Sequence, residues 1–213
     1  MENLTVNISG SSAISGVLIE EINQLCAQVE SSTTINIVLF NFDADSTKGL
    51  SSRVENVDVL HKWEKVLRRV ENLNALIIAI CNGQSGLAAL SLIAIADLRL
   101  GTPTSTFALN GEDITLPGML IHRLTNQMTA NWVRSLLVLG NTLCADEALA
   151  CGLLDRTSTQ PKALAEDFVV GMNPHAFNDI RVRRKLMLEA SHTSYEDTIG
   201  LSLSASDRTL RRG

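Results

Sequence analysis

The stretch from Leu76 to Asp97 constrains the fold more than any other part of this chain. Leu76-Ile77-Ile78-Ala79-Ile80-Cys81 is a run of β-branched and apolar residues that reads as a buried strand. Asn82-Gly83 breaks it with a turn, and an apolar helix follows from Gly86 to Ala96, with small residues at its start. The run closes on Asp97-Leu98-Arg99. A strand that turns directly into a buried helix belongs in an α/β core. The first backbone N–H groups of a helix have no acceptor inside it. Here, with small side chains around them, they converge on one spot that suits an anion, including an oxyanion that exists only during a reaction.

The rest of the chain extends this pattern. Leu4 to Ile8 alternates as a short strand, and Ile14 to Val29 carries Ile14, Val17, Leu18, Ile22, Leu25 and Val29 at helical spacing. Ile35 to Phe40 is a second buried strand, Asn41 to Ser52 is polar and irregular, and Val57 to Leu73 is a long amphipathic helix. Strands are expected at Leu98 to Leu100 and Phe107 to Leu109. Helices are expected at Leu120 to Met128, Ala130 to Leu139, Ala145 to Ala150, Ala163 to Val170, Ile180 to Ala190 and Tyr195 to Leu210. Strands alternating with helices give an α/β fold with short parallel pairings. No repeat or linker composition divides the 213 residues, a length suited to one domain with a full core.

Composition excludes several classes of function. A net charge of −5 and 4% aromatic residues argue against a nucleic-acid binder, which needs a basic surface or stacking platforms. The four cysteines, Cys26, Cys81, Cys144 and Cys151, form no close ligand pair, so no metal site is expected. They read as buried free thiols of a reducing compartment. Met1 to Thr5 lacks a basic, apolar signal, and no apolar stretch reaches membrane-spanning length uninterrupted. A cytoplasmic protein without membrane partners is expected. Asn7-Ile8-Ser9, a glycosylation acceptor by pattern, carries no weight without a secretory signal.

The stretch Asn82 to Asp97 resembles the crotonase (enoyl-CoA hydratase/isomerase) superfamily, whose pattern is a strand, Asn-Gly, a triple glycine, a helix and Asp-Ile/Leu-Arg. The spacing fits without a gap, but the glycines are replaced by Leu87, Ala88 and Ala89. Leu143-Cys144-Ala145-Asp146-Glu147-Ala148-Leu149-Ala150-Cys151-Gly152-Leu153-Leu154-Asp155 is similar to a second segment of that family, in the right order. The likeness runs from about residue 4 to about residue 210. It implies a crotonase-type spiral of ββα units in a single domain, with a core over 1–155 and a helical part over 156–213. It also implies a homotrimer or hexamer. By the same resemblance, the last family helix is expected to be absent from this sequence. Asp58 to Glu71 and Leu116 to Leu124 resemble one subgroup, the small hydratase-like proteins of the dihydroxyphenylglycine pathway, which act beside a type III polyketide synthase.

Family chemistry rests on two backbone N–H groups that hold a thioester oxygen as it gains charge, each contributing roughly 3–4 kcal/mol. The resemblance places the second donor at Ala88, flanked by Gly86 and Leu87 as binding positions. An equally open reading makes Leu87-Ala88-Ala89 a helix start packed in the core. The first donor maps to Lys48, beside Gly49; Lys48 also reads as a solvated surface charge. The first family carboxylate falls on Ser91, a residue expected to bond its hydroxyl to the helix backbone. The second falls in the segment after Phe107, where Glu112 is the candidate acid/base, with Asp113, Asn110 and Gly111 as neighbouring registers. Glu112 also reads as a solvated turn residue. Asp97 takes the place of a structural aspartate. Arg181 to Lys185 and Arg208 to Arg212 are expected as exposed helix faces, His61 and His122 lie on helix faces, and Trp63 and Trp132 are the aromatic candidates for an interface.

The resemblance implies a hydratase- or dehydratase-like lyase with an altered site, acting on an acyl-CoA or acyl-carrier thioester in specialised polyketide or amino-acid metabolism. Coenzyme A enters as part of the substrate, with no other cofactor. A non-catalytic accessory subunit of a polyketide synthase and a thioester decarboxylase are the rivals. Gly83-Gln84-Ser85-Gly86 also invites a serine-hydrolase triad with His122 and Asp155, but Leu87 occupies the position where that motif needs its last glycine.

Overall fold

The computed structural model describes residues 2–43, 54, 56–109, 118–173, 177, 179–190 and 193–211. Its strands and helices follow in the order β1 (Glu2–Ser9), α1 (Gly16–Ser31), β2 (Ile35–Asp43), α2 (Val57–Glu71), β3 (Leu76–Asn82), β4 (Gln84–Ser85), α3 (Leu87–Ile93) and β5 (Leu98–Gly101). Then come β6 (Thr106–Phe107), α4 (Leu120–Thr125), α5 (Ala130–Leu137), β7 (Leu143–Cys144), α6 (Ala145–Ala150), β8 (Arg156–Thr157), α7 (Pro161–Gly171), α8 (Ile180–Ala190) and α9 (Tyr195–Leu210).

The expected α/β architecture is present. Among the described residues, the main sheet has five strands in the order β1-β2-β3-β5-β8, all parallel. β3 pairs with β2 and β5 in register, Phe40 opposite Ala79 and Ile80 opposite Leu100. A strand in the middle of a parallel sheet is buried on both faces, which is why Leu76 to Cys81 is continuously apolar rather than alternating. On one face, Val38, Phe40, Phe42, Ile77, Ala79 and Cys81 join α1, α2 and α3 in the larger core. On the other, Ile37, Ile78, Ile80, Leu98 and Leu100 meet Ala165 of α7 and Phe177. All seven residues of α3 are buried, as an all-apolar helix requires.

The departures from expectation are local. Helix α1 starts at Gly16, because the Ser15 hydroxyl caps it by accepting from the Leu18 N–H at 3.3 Å. The face of α1 that packs inward includes Ile19 and leaves Val17 79% exposed. A second, three-stranded sheet, β4-β6-β7, was not expected. β8 lies inside the stretch expected to be helical and forms an edge of the main sheet beside β5. Trp63 belongs to the core, so it is no interface anchor. Cys144 is exposed, unlike the other three cysteines, which are buried; all four are free.

A further departure concerns α8. Arg184, expected on a solvated face, is 5% exposed. Its guanidinium donates to both carboxylate oxygens of Asp97, at 2.8 and 2.6 Å. It also donates to the Glu71, Leu73 and Ala75 carbonyls, at 2.8, 3.0 and 2.8 Å. α8 is thereby fastened across the α2–β3 connection and the end of α3. α4 is held to α2 by a second buried arginine, Arg123, which donates to Glu71 at 3.0 Å and Glu64 at 2.9 Å. Burial works against the Arg123 charge, and the two carboxylates outweigh it, leaving its pKa raised.

Two expected results arise from this packing. A Cβ on Gly10 would lie 2.1 Å from the Gln84 carbonyl oxygen, a backbone atom that has nowhere to retreat. Gly10→Ala is therefore expected to cost about 1–3 kcal/mol in urea denaturation. The thiols differ as well: burial pushes Cys26 up to about 11 and Cys81 up to about 12, and raises Cys151. A thiol reagent at mildly alkaline pH should modify Cys144 quickly in the native protein, and the other three cysteines only after denaturation.

Candidate active site

The candidate site lies where β3 hands over to α3. Asn82 ends the strand, Gly83 turns the chain at φ 79°, and Gln84-Ser85 pair with β6. Left-handed φ at this position favours glycine. The Gly86 N–H donates to the Gly10 carbonyl at 2.8 Å, and the Gly86 carbonyl accepts from Leu90 at 2.8 Å. α3 therefore starts at Leu87, with the amides of Leu87, Ala88 and Ala89 in its first turn and without helix acceptors. The helix dipole adds positive potential at this point. All three side chains are buried, with Ala88 1% exposed. Gly86, Leu87 and Ala88 thus stand together at the head of α3, both as a helix start packed in the core and as a row of oriented amides.

One turn on, the Ser91 hydroxyl donates to the Leu87 carbonyl at 2.8 Å and is 2% exposed. This is the internal bond expected of it. A hydroxyl held this way has no activating partner and cannot serve as a general base. Asp97 closes the motif, and its role is structural. Its N–H donates to the Ile77 carbonyl at 2.8 Å, its carboxylate accepts from the Ile77 N–H at 2.8 Å, and Arg184 completes its shell. Lys48, Gly49 and Glu112, with Asn110, Gly111 and Asp113, lie outside the described residues.

The serine-hydrolase arrangement is not assembled. Ser85 is buried. Asp155 is occupied: its carboxylate accepts from the Arg99 N–H at 2.8 Å and from the Arg99 guanidinium at 2.8 and 3.2 Å. This clamp ties the end of the second motif to the end of the first. The second motif is also capped, since the Glu147 carboxylate accepts from the Cys144 N–H at 2.9 Å. His61 and His122 lie exposed on α2 and α4, as expected.

Sequence reasoning missed a polar row across the C-terminal ends of the strands, on the sheet face opposite α3. Asn41 donates to Asn7 at 2.9 Å and to Asp43 at 2.8 Å, Asn82 donates to Asp43 at 3.4 Å, and Thr102 donates to Asn82 at 3.5 Å. The last two are at the weak end of hydrogen bonding. The row braces the Asn82-Gly83 turn from behind. Its signal in the sequence was an asparagine at the end of each apolar run, Asn7, Asn41 and Asn82. No described helix is long and apolar enough to cross a membrane. Among the described residues, no cluster of histidine, cysteine, aspartate or glutamate is suited to hold a metal ion.

Known proteins share this architecture. The enoyl-CoA hydratase/isomerase family profile matches residues 10–205. An enoyl-CoA-hydratase of Amycolatopsis orientalis is 32% identical over 212 residues, covering 98% of this chain and 96% of that protein. The human mitochondrial enoyl-CoA hydratase domain-containing protein 3 is 29% identical over 105 residues, covering 47% of this chain and 34% of that protein. The crystal structure of an enoyl-CoA hydratase from Mycobacterium smegmatis superposes with a TM-score of 0.80 at 18% identity, covering 98% of this chain and 86% of the other. That of the human domain-containing protein 3 superposes with a TM-score of 0.78 at 15% identity, covering 98% and 88%. These structures share the crotonase fold, and by sequence the chain belongs to the enoyl-CoA hydratase/isomerase family.

Proposed function

We propose that this protein is a hydratase- or dehydratase-like enzyme that acts on an acyl-CoA thioester by stabilising its enolate. The observation that carries the reading is the first turn of α3, where the Ala88 amide is buried, oriented and without a helix acceptor. The family position of the thioester oxygen falls there. The Ala88 N–H is one donor and the Lys48 N–H, beside Gly49, the other, with Gly86 and Leu87 flanking the acyl carbonyl. An alanine amide donates as well as a glycine amide, so the replaced glycines leave the electrostatics intact. Glu112 moves the proton. Because Ser91 stands where the family has a carboxylate, the site has one acid/base group instead of two. That suits decarboxylation, which needs one proton delivered to the enolate carbon, or a stepwise hydration or dehydration in which Glu112 carries both proton transfers in turn.

The closer likeness of Asp58 to Glu71 and Leu116 to Leu124 supports a place in specialised polyketide or amino-acid biosynthesis, in the manner of the dihydroxyphenylglycine pathway. In this reading the chain is a single domain, forms a homotrimer or hexamer, and works in the cytoplasm.

Ser91 also favours a second reading. With its hydroxyl bonded inside α3 and the small residues of the first turn buried, the fold suits an accessory subunit that binds a polyketide synthase and performs no chemistry itself. Calorimetry with CoA and a panel of acyl-CoAs separates the two. Micromolar binding that depends on the acyl group supports the enzyme. No binding by any thioester overturns it and leaves the accessory reading.

A further inference from the structure

Helix α2 carries a row of basic side chains of which the fold uses only one, Arg68, in a long contact with Glu71. His61, Lys62, Lys65 and Arg68 are exposed and, at 3.6 residues per turn, fall within about a third of the helix circumference. The cationic helical neighbours of Lys65 at three and four residues are Lys62, Arg68 and Arg69. Like charges at this spacing destabilise a helix by about 0.2–0.5 kcal/mol per pair. A face that needed only to be soluble would interleave acids. Asp58, one turn ahead, is the acid of the arc, and it lies in the first turn, where the helix dipole favours a carboxylate. Arg69 is engaged by Glu30 at 2.6 Å, and Arg68 makes a 3.5 Å contact with Glu71. His61, Lys62 and Lys65 make no ion pair among the described residues.

On the Arg68 side the row is bordered by Glu64, which is taken up by Arg123 and the Met119 N–H, and beyond it by the apolar start of α4. α4 begins against α2: the Met119 N–H donates to Glu64 at 3.2 Å, and a Cβ on Gly118 would lie 3.3 Å from Leu60. The helix so placed presents Met119 and Ile121, 47% and 41% exposed. Cations beside exposed apolar residues on a convex helix face match a protein surface, since small-ligand sites are concave. A chain of net charge −5 is not a general polyanion binder, so the concentration of positive charge on one face marks a specific acidic partner.

We propose that this face of α2 docks an acidic amphipathic helix of a partner protein. Carboxylates at three- and four-residue spacing meet Lys62, Lys65 and Arg68, and one or two apolar residues meet Met119 and Ile121. The inference stands whether or not the chain is itself catalytic.

The test uses the whole protein and a fluorescent synthetic helical peptide with glutamates along one face and leucines beside them, read by anisotropy. Binding is expected to weaken with rising salt and to be stronger than for a scrambled peptide of the same composition. Lys65→Glu should weaken binding about tenfold and Lys65→Gln by less. Lys65→Glu should not lower the Tm, because it relieves repulsion within α2. Acyl-CoA affinity should be the same in both variants. Equal peptide binding by wild type and Lys65→Glu overturns the proposal. So does competition by CoA or loss of acyl-CoA affinity, which would make the row a nucleotide-phosphate site. Displacement of the peptide by vesicles rich in anionic lipid overturns it in favour of a membrane surface.

Discussion

Arg184→Ala is expected to lower the unfolding free energy by about 3–5 kcal/mol, a large part of the 5–15 kcal/mol of a typical domain. The Arg184 guanidinium, itself buried, satisfies Asp97 twice and three backbone carbonyls once each, while the Asp97 side chain keeps an edge in water. Removing it leaves Asp97 with the Ile77 N–H and strips the donor from the Glu71, Leu73 and Ala75 carbonyls. The cost is the desolvation of groups left unpaired, more than the loss of attraction itself. Two companions separate these contributions. Arg184→Lys keeps a charge for Asp97 but cannot span five acceptor oxygens as a planar fork does, so it should recover only part of the loss. Asp97→Asn combined with Arg184→Met removes both charges and should cost less than Arg184→Ala alone. Urea denaturation midpoints read all three. A stability of Arg184→Ala within 0.5 kcal/mol of wild type, inside the usual range for surface substitutions, would show that this ion pair does not hold α8.

How much of this was legible in the sequence depends on the range of the interactions. β3 and α3 could be read because their apolar patterns are long and continuous, and Ser91 because a serine inside a helix has a local acceptor one turn back. Arg184 could not be read. It sits among Arg181, Arg183 and Lys185, and nothing local separates the buried cation from the exposed ones. Its partner, Asp97, is 87 residues away. β4, β7 and β8 are two residues long, too short to show an alternation, and β6, expected over Phe107 to Leu109, forms over Thr106–Phe107. In α1 the buried arc runs through Leu18, Ile19, Ile22, Leu25, Cys26 and Val29, and Val17 falls outside it, a choice between neighbouring apolar residues that packing makes and spacing alone does not. The site divides in the same way. Ala88 and its flanking residues are placed by the helix itself, whereas Lys48 and Glu112 belong to irregular polar segments with no periodicity to fix their register, and both lie outside the described residues.

The Ala88 amide can be tested apart from its side chain. Ala88 is the second residue of α3, so its N–H serves no helix bond, and proline is tolerated in a first turn for that reason. Ala88→Pro deletes the donor at a smaller cost to the fold, chiefly through the restriction it places on Leu87. Loss of one oxyanion donor is expected to lower turnover about 10²–10³-fold. Because the donor acts on the charge that develops during the reaction, most of the loss should appear in kcat and little in the affinity for an unreactive acyl-CoA. Ala88→Gly gives the opposite control. It restores the family residue and keeps the amide, so turnover should be unchanged or raised, at a helix cost of about 1 kcal/mol. Glu112→Gln should match the kinetic signature of Ala88→Pro, losing turnover by orders of magnitude at constant stability, because a neutral amide cannot move the proton. Full turnover in Ala88→Pro, with thermal unfolding showing a folded protein, would remove the Ala88 amide from the mechanism. Parallel losses of turnover and ground-state binding would instead place proline's bulk in the pocket, and the donor's contribution would then be read from the difference between the two losses.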